Sequence, residues 1–504
     1  MTKVVLLGSS PGHDTAPTGL RLAALPGSPT VGDRLRSQLL SLDPQLATVA
    51  HADVATMLRA LADAADAATG DSLLILPDNS VVHDELIYQI TKAKRGALAL
   101  VAKEPRPESN GEEPEEVIPV DESEPEIGSR SLEGLMVRAR AGKSRIVSVG
   151  TAHHAVTRPN TVLLGPLHLK AQHLPLLAET CRELAELAHL FGPEDDLVQL
   201  VAFGLVRKGV SLGIRGRRDL FFRRVTTQPE ANEAGAEIAG MDEDRARLDN
   251  AVKGADGFFT TYFVSTYSRF IARWAARRGL TPNQVTLISI ALGVAAAACF
   301  ATGQRLGMVA GGVLIYFAFV FDCVDGQVAR YARKFGVLGA WLDATFDRFK
   351  EYVVFAGLAI GYVAIGHGDE IWVLAMAAIG LQSVRHLLDF SYGAASRRKP
   401  PRQLPTLELT APDDRQLRKQ LEERRVERSG GIRGLLKMWT KAGRNRAVHW
   451  TRKMLVFPIG ERFAAIAITA ALFDARITFL TLLIWGTVAA CYSLSGRLLR
   501  SLAS

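Results

Sequence analysis

The chain has 504 residues, of which 48% are hydrophobic and 22% charged, and its formal net charge is +8 at pH 7. This length allows two or three domains. Its cysteines form no close pairs, which argues against a disulfide framework and a structural zinc site; they are Cys181, Cys299, Cys323 and Cys491. The basic residues cluster beside long apolar runs, which favours a membrane surface as partner, and no recognition-helix signature suggests nucleic acid.

Residues 1–249 are predicted to form a cytoplasmic α/β domain. Short apolar runs such as KVVLLGS, SLLILPD and GALALVA alternate with amphipathic stretches such as DVATMLRALADAADAAT, a pattern typical of layered strands and helices. The acidic segment 103–131 interrupts the pattern and is predicted to be a solvated loop, at least partly disordered. The first apolar run is too short for a signal-peptide core, so we expect this domain to remain in the cytoplasm.

Residues 250–280 are predicted to form an amphipathic helix that lies in the membrane interface. Aromatic and aliphatic residues share one helical face, and the positive charge comes from Arg269, Arg273, Arg277 and Arg278. The alternative is an ordinary surface helix packed on the soluble domain. The interfacial interpretation is favoured because an apolar span follows at once.

Residues 281–504 are predicted to form an all-α domain of six transmembrane helices. Their apolar runs meet the length needed to cross a bilayer. The loops that follow the second and fourth spans are rich in Lys and Arg, whereas the alternate loops carry little charge, so the termini and the basic loops are expected in the cytoplasm. The predicted spans are roughly 284–302, 307–324, 340–365, 371–392, 457–473 and 477–495.

Four aspartates stand at the ends of the second and third predicted spans. Asp322 and Asp325 are three residues apart on one helix, and Asp343 and Asp347 are four apart on the next. Each pair therefore shares one helical face, and two facing helices would bring the four carboxylates together. Bare carboxylates in such a cluster would repel one another, and a divalent cation removes that repulsion. Hard oxygen ligands favour Mg²⁺ or Mn²⁺ and leave positions for phosphate oxygens.

The neighbours of the aspartates fit phosphate chemistry. Gly326 and Gly339 permit a ligand to approach the helices closely, and Arg330 can pair with a diphosphate. A carboxylate that is not fully committed to metal could accept a proton from an attacking hydroxyl, and Asp347, the last in the series, is the candidate. The alternative is that these carboxylates are only solvated helix caps.

The aspartates belong to a longer pattern, D-x2-D-G-x2-A-R-x8-G-x3-D-x3-D, which contains Asp322, Asp325, Gly326, Ala329, Arg330, Gly339, Asp343 and Asp347. This pattern resembles the signature of the CDP-alcohol phosphotransferase family, and the likeness extends over about 280–500. The resemblance implies a six-helix membrane enzyme, usually a homodimer. Such enzymes use a metal to transfer a substituted phosphate from a CDP-linked donor to an alcohol, and they release CMP.

The resemblance also implies a role for each motif residue. Asp322, Asp325 and Asp343 would bind metal, and Asp347 would act as the base and also contact metal. The site would hold two Mg²⁺ or Mn²⁺ ions. The CDP and its diphosphate would be lined by Gly326, Ala329, Arg330 and Gly339.

The acceptor-binding residues are predicted from charge and position. Glu461 and Arg462 lie at the start of the fifth span, and an intramembrane arginine that faces a cavity could hold an acceptor phosphate. Arg385 and His386, late in the fourth span, are a second option. For each of them the alternative is a charge that snorkels to the membrane interface.

Segments of the first domain resemble nucleotidyltransferases for sugars or polyol phosphates, namely GSPTVGDRLRSQLLSL, LLILPDNSVVHDELI and FFRRVTTQPEANEA. This likeness predicts a nucleotidyltransferase-like fold with Asp78 near the first metal position. The expected Gly-rich, Arg-containing loop is absent, and Arg223 and Arg224 stand where a late metal-binding aspartate is expected. We therefore expect a domain that has lost or altered its catalysis, with an active cytidylyltransferase as the alternative.

These observations leave the substrates open. The favoured donor is CDP-diacylglycerol, and the acceptor would be an inositol phosphate, a glycerol phosphate or another polyol, in phospholipid biosynthesis at the cell membrane. The alternative is a bifunctional cytidylyltransferase and CDP-polyol phosphotransferase that uses a soluble donor such as CDP-inositol. A more remote alternative is a divalent-cation transporter, because intramembrane carboxylates alone would permit it.

Overall fold

The computed structural model describes most of the chain, in two compact units. The first unit comprises Met1–Glu243 and Pro401–Glu427, and the second comprises Asp244–Pro400 and Arg428–Ser504. The segment 401–427, which the sequence assigns to the membrane domain, thus packs within the first unit. The described residues are 2–8, 17–49, 52–93, 95–102, 125–126, 137–141, 145–157, 159–191, 195–217, 220–252, 257–334, 336–397, 403–426 and 446–502.

The described β-strands lie in the first unit and are β1 (Thr2–Leu7), β2 (Ala47–Val49), β3 (Ser72–Pro77), β4 (Ser80–Val82), β5 (Ala97–Ala102), β6 (Pro125–Glu126), β7 (Val137–Ala141), β8 (Ile146–Val149), β9 (Val156–Thr157), β10 (Thr161–Leu169), β11 (Gly213–Gly216) and β12 (Phe222–Arg224). The main sheet has the order β11-β5-β10-β3-β1-β2, and β7 joins β10 to β8. β1 is parallel to β2 and β3, whereas β10 is antiparallel to β3 and β5. The α/β class predicted for this region is confirmed, with a mixed sheet.

The described α-helices are α1 (Val31–Leu39), α2 (Val54–Ala67), α3 (Asp84–Thr91), α4 (Leu174–Glu186), α5 (Leu197–Arg207), α6 (Gln228–Gly240), α7 (Glu243–Ala251), α8 (Ser265–Arg277), α9 (Pro282–Ala301), α10 (Arg305–Tyr331), α11 (Val337–Ala364), α12 (Ile371–Arg397), α13 (Arg415–Val426), α14 (Arg446–Leu455), α15 (Ile459–Leu472) and α16 (Ala475–Leu502). Polar caps start several of them, since the first backbone N–H groups of a helix lack partners within it. The Asp53 side chain accepts from Thr56 N at the start of α2, and Asp196 and Gln199 form a capping box at α5. The helices α2, α4 and α5 bury apolar faces in the core of the first unit, where Leu61 and Ile75 are fully buried.

The segment 403–426 is joined to the first unit by hydrogen bonds. Leu404 N donates to Gly209 O at 3.0 Å. The buried Arg207 guanidinium donates from Nη1 to the carbonyls of Glu408 and Ala411, each at 2.7 Å. Asp414 accepts from Thr157 N at 2.9 Å. These contacts join residues that lie up to 257 positions apart, so the segment is part of the domain rather than a free connector.

Among the described residues, four helices are long and apolar enough to cross a membrane, and they are α9, α10, α12 and α16. A fifth span results if α14 and α15, which meet at a bend of 74°, are counted together. The predicted count of six is not confirmed. α11 covers the predicted third span, but charged residues from Asp343 to Glu351 lower its hydropathy, and α15 has 14 residues, too few to cross alone. By length and composition, the second unit therefore has the apolar helices of a membrane domain.

The predicted interfacial segment forms the end of α7, a π-helical turn at Thr260–Val264 and α8. Phe270 and Trp274 on α8 are about half exposed, at 53% each. Three of the predicted basic residues pair with acidic residues of α7. Arg269 Nη1 lies 2.6 Å from Asp249 Oδ1, and Asp244 pairs with Arg273 at 2.5 Å and with Arg277 at 3.0 Å. The exposed aromatic side chains fit an interfacial position, which remains a prediction.

Candidate active site

The ends of α10 and α11 bring the motif residues together. α10 carries Asp322 and Asp325 in its second half, and α11 carries Asp343 and Asp347 in its first half. Between the helices the chain turns within a few residues, with Arg333 at a φ of 55°. α9 packs against both helices, and it begins at a Thr281–Gln284 capping box with Pro282 in its first turn. The segment TPNQVT, residues 281–286, therefore forms the start of α9.

A cavity of about 310 Å³ lies at this helix junction, within the second unit. All eight positions of the sequence motif line it, together with residues from α9, α10, α15 and the connecting turns. Helical periodicity predicts that the four carboxylates come together, and the family resemblance implies that the other four residues line the same site. The eight motif residues at the cavity wall are Asp322, Asp325, Gly326, Ala329, Arg330, Gly339, Asp343 and Asp347.

Three of the aspartates form a set of potential metal ligands. Asp322, Asp325 and Asp343 each offer a carboxylate oxygen, and these oxygens lie within 4.8 Å of one another. Such a set of hard, anionic donors fits Mg²⁺ or Mn²⁺ and leaves positions for other oxygen ligands. The donor set therefore fits the metal that the sequence motif implies.

Contacts from α9 fix the innermost carboxylate. Asp325 is 4% exposed, and its Oδ2 accepts a hydrogen bond of 2.6 Å from the Thr286 hydroxyl. Because the hydrogen bond fixes the rotamer of this side chain, the other carboxylate oxygen can face the cavity. Thr286 was not predicted from the sequence, since a threonine in an apolar helix carries no signal of its own.

The fourth aspartate has a different partner. The Lys350 ammonium, one helical turn further along α11, lies 3.2 Å from Asp347 Oδ1. The same ammonium forms an ion pair with Asp322 and donates to the Ser289 hydroxyl at 2.9 Å. Asp347 thus lies at the cavity wall beside the three-aspartate set, and its carboxylate contacts the Lys350 ammonium.

The remaining motif residues shape the wall of the cavity. A Cβ on Gly326 would lie 3.3 Å from Arg330 Nη1, so the glycine leaves the arginine room to lie along α10. Arg330 Nε donates to Ala251 O. A Cβ on Gly339 would lie 2.9 Å from Asn283 Oδ1, so this glycine lets α11 approach the start of α9.

A second cavity of about 300 Å³ is lined by three of the predicted acceptor residues, Arg385, His386 and Arg462. Asp347 lines both cavities, so the two are neighbours. Arg462 is buried and forms a two-pronged ion pair with Glu351, from Nε to Oε1 at 2.9 Å and from Nη2 to Oε2 at 3.2 Å. Arg385 donates to Gln382 Oε1 at 3.0 Å and to Val456 O at 2.8 Å.

Glu461 faces away from this second cavity. Its Oε1 accepts from Phe259 N at 3.2 Å, and its carboxylate occupies the space that a Cβ on Gly257 would need. His386 does line the second cavity, with Nε2 4.0 Å from Glu351 Oε2. Sequence reasoning missed Lys350 and Glu351, although two charges inside an apolar helix are a recognisable functional signal.

In the first unit, the two arginines singled out by the sequence are held in ion pairs. Arg223 Nη2 lies 2.7 Å from Glu233 Oε2. Arg224 donates from Nε to Asn79 Oδ1 at 3.0 Å and pairs with Asp196. Asp78 lies at the turn between β3 and β4 and is 9% exposed. The described contacts give these arginines a structural role.

The comparisons with known proteins concern the second unit above all. Residues 279–401 match the family model of CDP-alcohol phosphatidyltransferase. A phosphatidylinositol phosphate synthase from Streptomyces avermitilis is 34% identical over 126 residues, which cover 24% of this chain and 50% of that protein. A bifunctional IPC transferase and DIPP synthase from Rubrobacter xylanophilus is 40% identical over 83 residues, which cover 16% of this chain and 18% of that protein. The chain thus spans half or less of the length of these relatives.

Among solved structures, the inositol-1-phosphate CTP transferase from T. maritima is similar, with a TM-score of 0.30 and 9% sequence identity. The similarity covers 47% of this chain and 96% of that one.

Proposed function

We propose that this chain transfers a substituted phosphate from a CDP-linked donor to an alcohol in phospholipid biosynthesis, because residues 279–401 match the family model of CDP-alcohol phosphatidyltransferase. The donor that we favour is CDP-diacylglycerol, and the products are a phosphodiester and CMP. The observation that carries this proposal is the convergence of all eight motif residues on one cavity, with three carboxylate oxygens within 4.8 Å of one another.

The residues of the cavity would have different roles, according to the chemistry of their side chains. Asp322, Asp325 and Asp343 would hold a divalent cation, which when bound neutralises the diphosphate and stabilises the leaving CMP. Arg330, at the cavity wall, would pair with the diphosphate oxygens. Gly326 and Gly339 would let the nucleotide approach the helix backbones.

Asp347 would accept the proton of the attacking hydroxyl. The hydroxyl oxygen forms a bond to the phosphorus that carries the lipid, and the bond from that phosphorus to the bridging oxygen breaks, so that CMP leaves. A position between the two cavities suits this role, because the donor would occupy one side of Asp347 and the acceptor the other.

The second cavity is the proposed acceptor site. Arg385 and Arg462 would provide positive charge for an acceptor phosphate, as the sequence suggests, although Arg462 also balances Glu351. The Glu461 side chain does not contribute directly to this site, because its carboxylate accepts a hydrogen bond from Phe259 N. Glu461 can support the site only as the neighbour of Arg462 in the chain. An inositol phosphate or a glycerol phosphate is the acceptor class that this charge favours.

We place the first unit and both cavities on the cytoplasmic side of the cell membrane. The basic loops predicted from the sequence support that orientation, and CDP-linked donors are charged molecules that a cytoplasmic opening would admit. The homodimer implied by the family resemblance is part of the same proposal.

The purified full chain in lipid should release CMP from CDP-diacylglycerol when Mn²⁺ and a polyol phosphate are present, and EDTA should abolish that release. A panel of inositol phosphate, glycerol phosphate and unphosphorylated inositol would identify the acceptor. Release of CMP that is unaffected by EDTA would contradict the proposed metal-dependent transfer. A divalent-cation transporter would release no CMP at all.

The similarity to a bifunctional relative supports a second candidate function, in which the chain transfers the substituted phosphate from a soluble CDP-polyol donor. The α/β unit that precedes the membrane domain would then make this donor from CTP. Incubation of the full chain with CTP and polyol phosphates decides the matter, since synthesis of a CDP-polyol releases pyrophosphate. The ion pairs of Arg223 and Arg224 lead us to expect no pyrophosphate.

A further inference from the structure

Lys350 is a fully buried lysine in the wall of a site built from carboxylates. Its side chain is 0% exposed. An ammonium group buried without compensation costs several kcal/mol, so such a group is normally paired with acidic or polar partners. Here the partners are two of the four motif aspartates.

The surrounding helices are built to hold this ammonium. Lys350 Nζ donates to the Ser289 hydroxyl at 2.9 Å, and that hydroxyl donates to Ala318 O at 2.8 Å. A Cβ on Gly293 would lie 2.9 Å from Lys350 Cγ, so a glycine in α9 leaves the space that the lysine stem fills. Three helices thus fix the position of one positive charge.

The charge of the site is divided between two groups of carboxylates. Asp325 and Asp343 join Asp322 in the set whose oxygens lie within 4.8 Å of one another. Asp347 is absent from that set and lies 3.2 Å from the ammonium instead. A second divalent ion between Asp322 and Asp347 would stand beside the ammonium, and like charges at such distances repel strongly where water is scarce.

We propose that Lys350 takes the place of a second metal ion, so that this site holds a single divalent cation on Asp322, Asp325 and Asp343. Lys350 is a positioning residue, which holds the Asp347 carboxylate beside the three-aspartate set and out of the ligand shell of the metal. This inference rests on the proposed metal-dependent function. In this proposal, the Lys350 ammonium replaces the second of the two ions that the sequence motif implies.

The test is the number of Mn²⁺ ions bound by the purified full chain in detergent, measured with Mn²⁺ alone by equilibrium dialysis and by the electron paramagnetic resonance signal of the free ion. The wild-type chain should bind one ion at this site. Lys350→Met keeps the length of the side chain but removes its charge, so the freed carboxylates of Asp322 and Asp347 should recruit a second ion.

Two further variants separate charge from packing. Ser289→Ala removes a hydrogen bond of Lys350 but keeps the ammonium, and it should still bind one ion. Lys419→Met, at an exposed position on α13, should also leave the number unchanged.

Two ions in the wild-type chain would overturn the inference, and so would an unchanged number and affinity in Lys350→Met. Because the wild-type number is decisive, a variant that fails to fold does not prevent the test. The absence of any bound Mn²⁺ in the folded wild-type chain would instead contradict the proposed metal-dependent function itself.

Discussion

Two consecutive residues of α11 carry opposite charges, and each pairs with charged residues that line one of the two cavities. Lys350 and Glu351 are both fully buried, yet they point about 100° apart around the helix, because an α-helix has 3.6 residues per turn. Lys350 therefore meets Asp322 and Asp347, whereas Glu351 meets Arg462 and Gln382. Within one turn of α11, Lys350 thus offsets the negative charge of the aspartates, and Glu351 offsets the positive charge of Arg462.

Asp347→Asn should lower the rate of CMP release by about 10²–10⁴-fold, the usual contribution of a positioned general base. Because the three-aspartate set stays intact, Mn²⁺ binding should be retained. Initial rates and Mn²⁺ titration measure the two effects. Asp369→Asn, at an exposed position, is the control and should behave like the wild type. Normal turnover in Asp347→Asn would remove this residue from the role of base.

Arg462→Ala should destabilise the membrane domain by about 3–5 kcal/mol, because it leaves the Glu351 carboxylate buried without its cation. Thermal unfolding in detergent measures the loss as a fall in the midpoint temperature. The double variant Glu351→Gln, Arg462→Met removes both charges and should recover part of that loss. If the double variant were less stable than Arg462→Ala, the buried pair would not explain the effect.

At the residue scale, the sequence predicted those positions whose spacing forms a motif. The four aspartates could be placed on one site because helical periodicity is visible in the sequence, and the two glycines and Arg330 because their chemistry suits a phosphate ligand. Thr286 and Ser289 could not, because their role depends on which face of α9 meets α10. Lys350 and Glu351 were open to prediction as intramembrane charges, but their separate partners follow from three-dimensional packing.

The helices α9 and α11 approach each other closely through glycines. A Cβ on Gly357 would lie 2.4 Å from Ala297 O, and one on Gly361 would lie 2.0 Å from Phe300 O. Small residues of this kind let membrane helices pack backbone against backbone. This packing holds α9, and with it Thr286 and Ser289, against the site on α10 and α11.

Gly361→Val should therefore lower the stability of the membrane domain by about 1–3 kcal/mol or more, since the new side chain forces the two helices apart. The midpoint of thermal unfolding in detergent measures this loss. Gly380→Val on α12 is the matched control, because a Cβ there meets no atom within 4 Å. Equal midpoints for the two variants would contradict the close approach of α9 and α11.

At the element scale, apolar runs predicted the long helices well. The run expected at 284–302 is α9, Pro282–Ala301, and a polar cap with a following proline marks its start. The bend of 74° between α14 and α15 was not predicted. The composition of α11 does not identify it as a membrane span, because its first half carries the charged residues of the site.

The chain of the first unit is discontinuous, since it includes 401–427 from between two apolar helices. The composition of this segment resembles that of any polar connector, and its partners on α5 lie about two hundred residues away. Sequence periodicity reports local structure, so contacts over this distance were not accessible. The fold class of residues 1–249 was accessible, because alternating strands and helices are local patterns.

Arg207→Met should release this segment, because the carbonyls of Glu408 and Ala411 lose a charged donor, at roughly 1.5–3 kcal/mol for each hydrogen bond. Hydrogen exchange with mass spectrometry should show faster exchange in peptides from 403–414. Arg182→Met, which breaks an exposed ion pair with Asp66, should change little. Unaltered exchange in 403–414 would mean that Arg207 does not hold the segment.

The central claim is that three aspartates from two helices share a metal ion that grips the diphosphate of a CDP-linked substrate. The most direct measurement is electron–nuclear double resonance of Mn²⁺ bound to the full chain with CDP-diacylglycerol. A phosphorus-31 coupling should appear in the wild-type chain and disappear in Asp343→Asn. Bound Mn²⁺ without any phosphorus coupling in the presence of saturating donor would contradict the account.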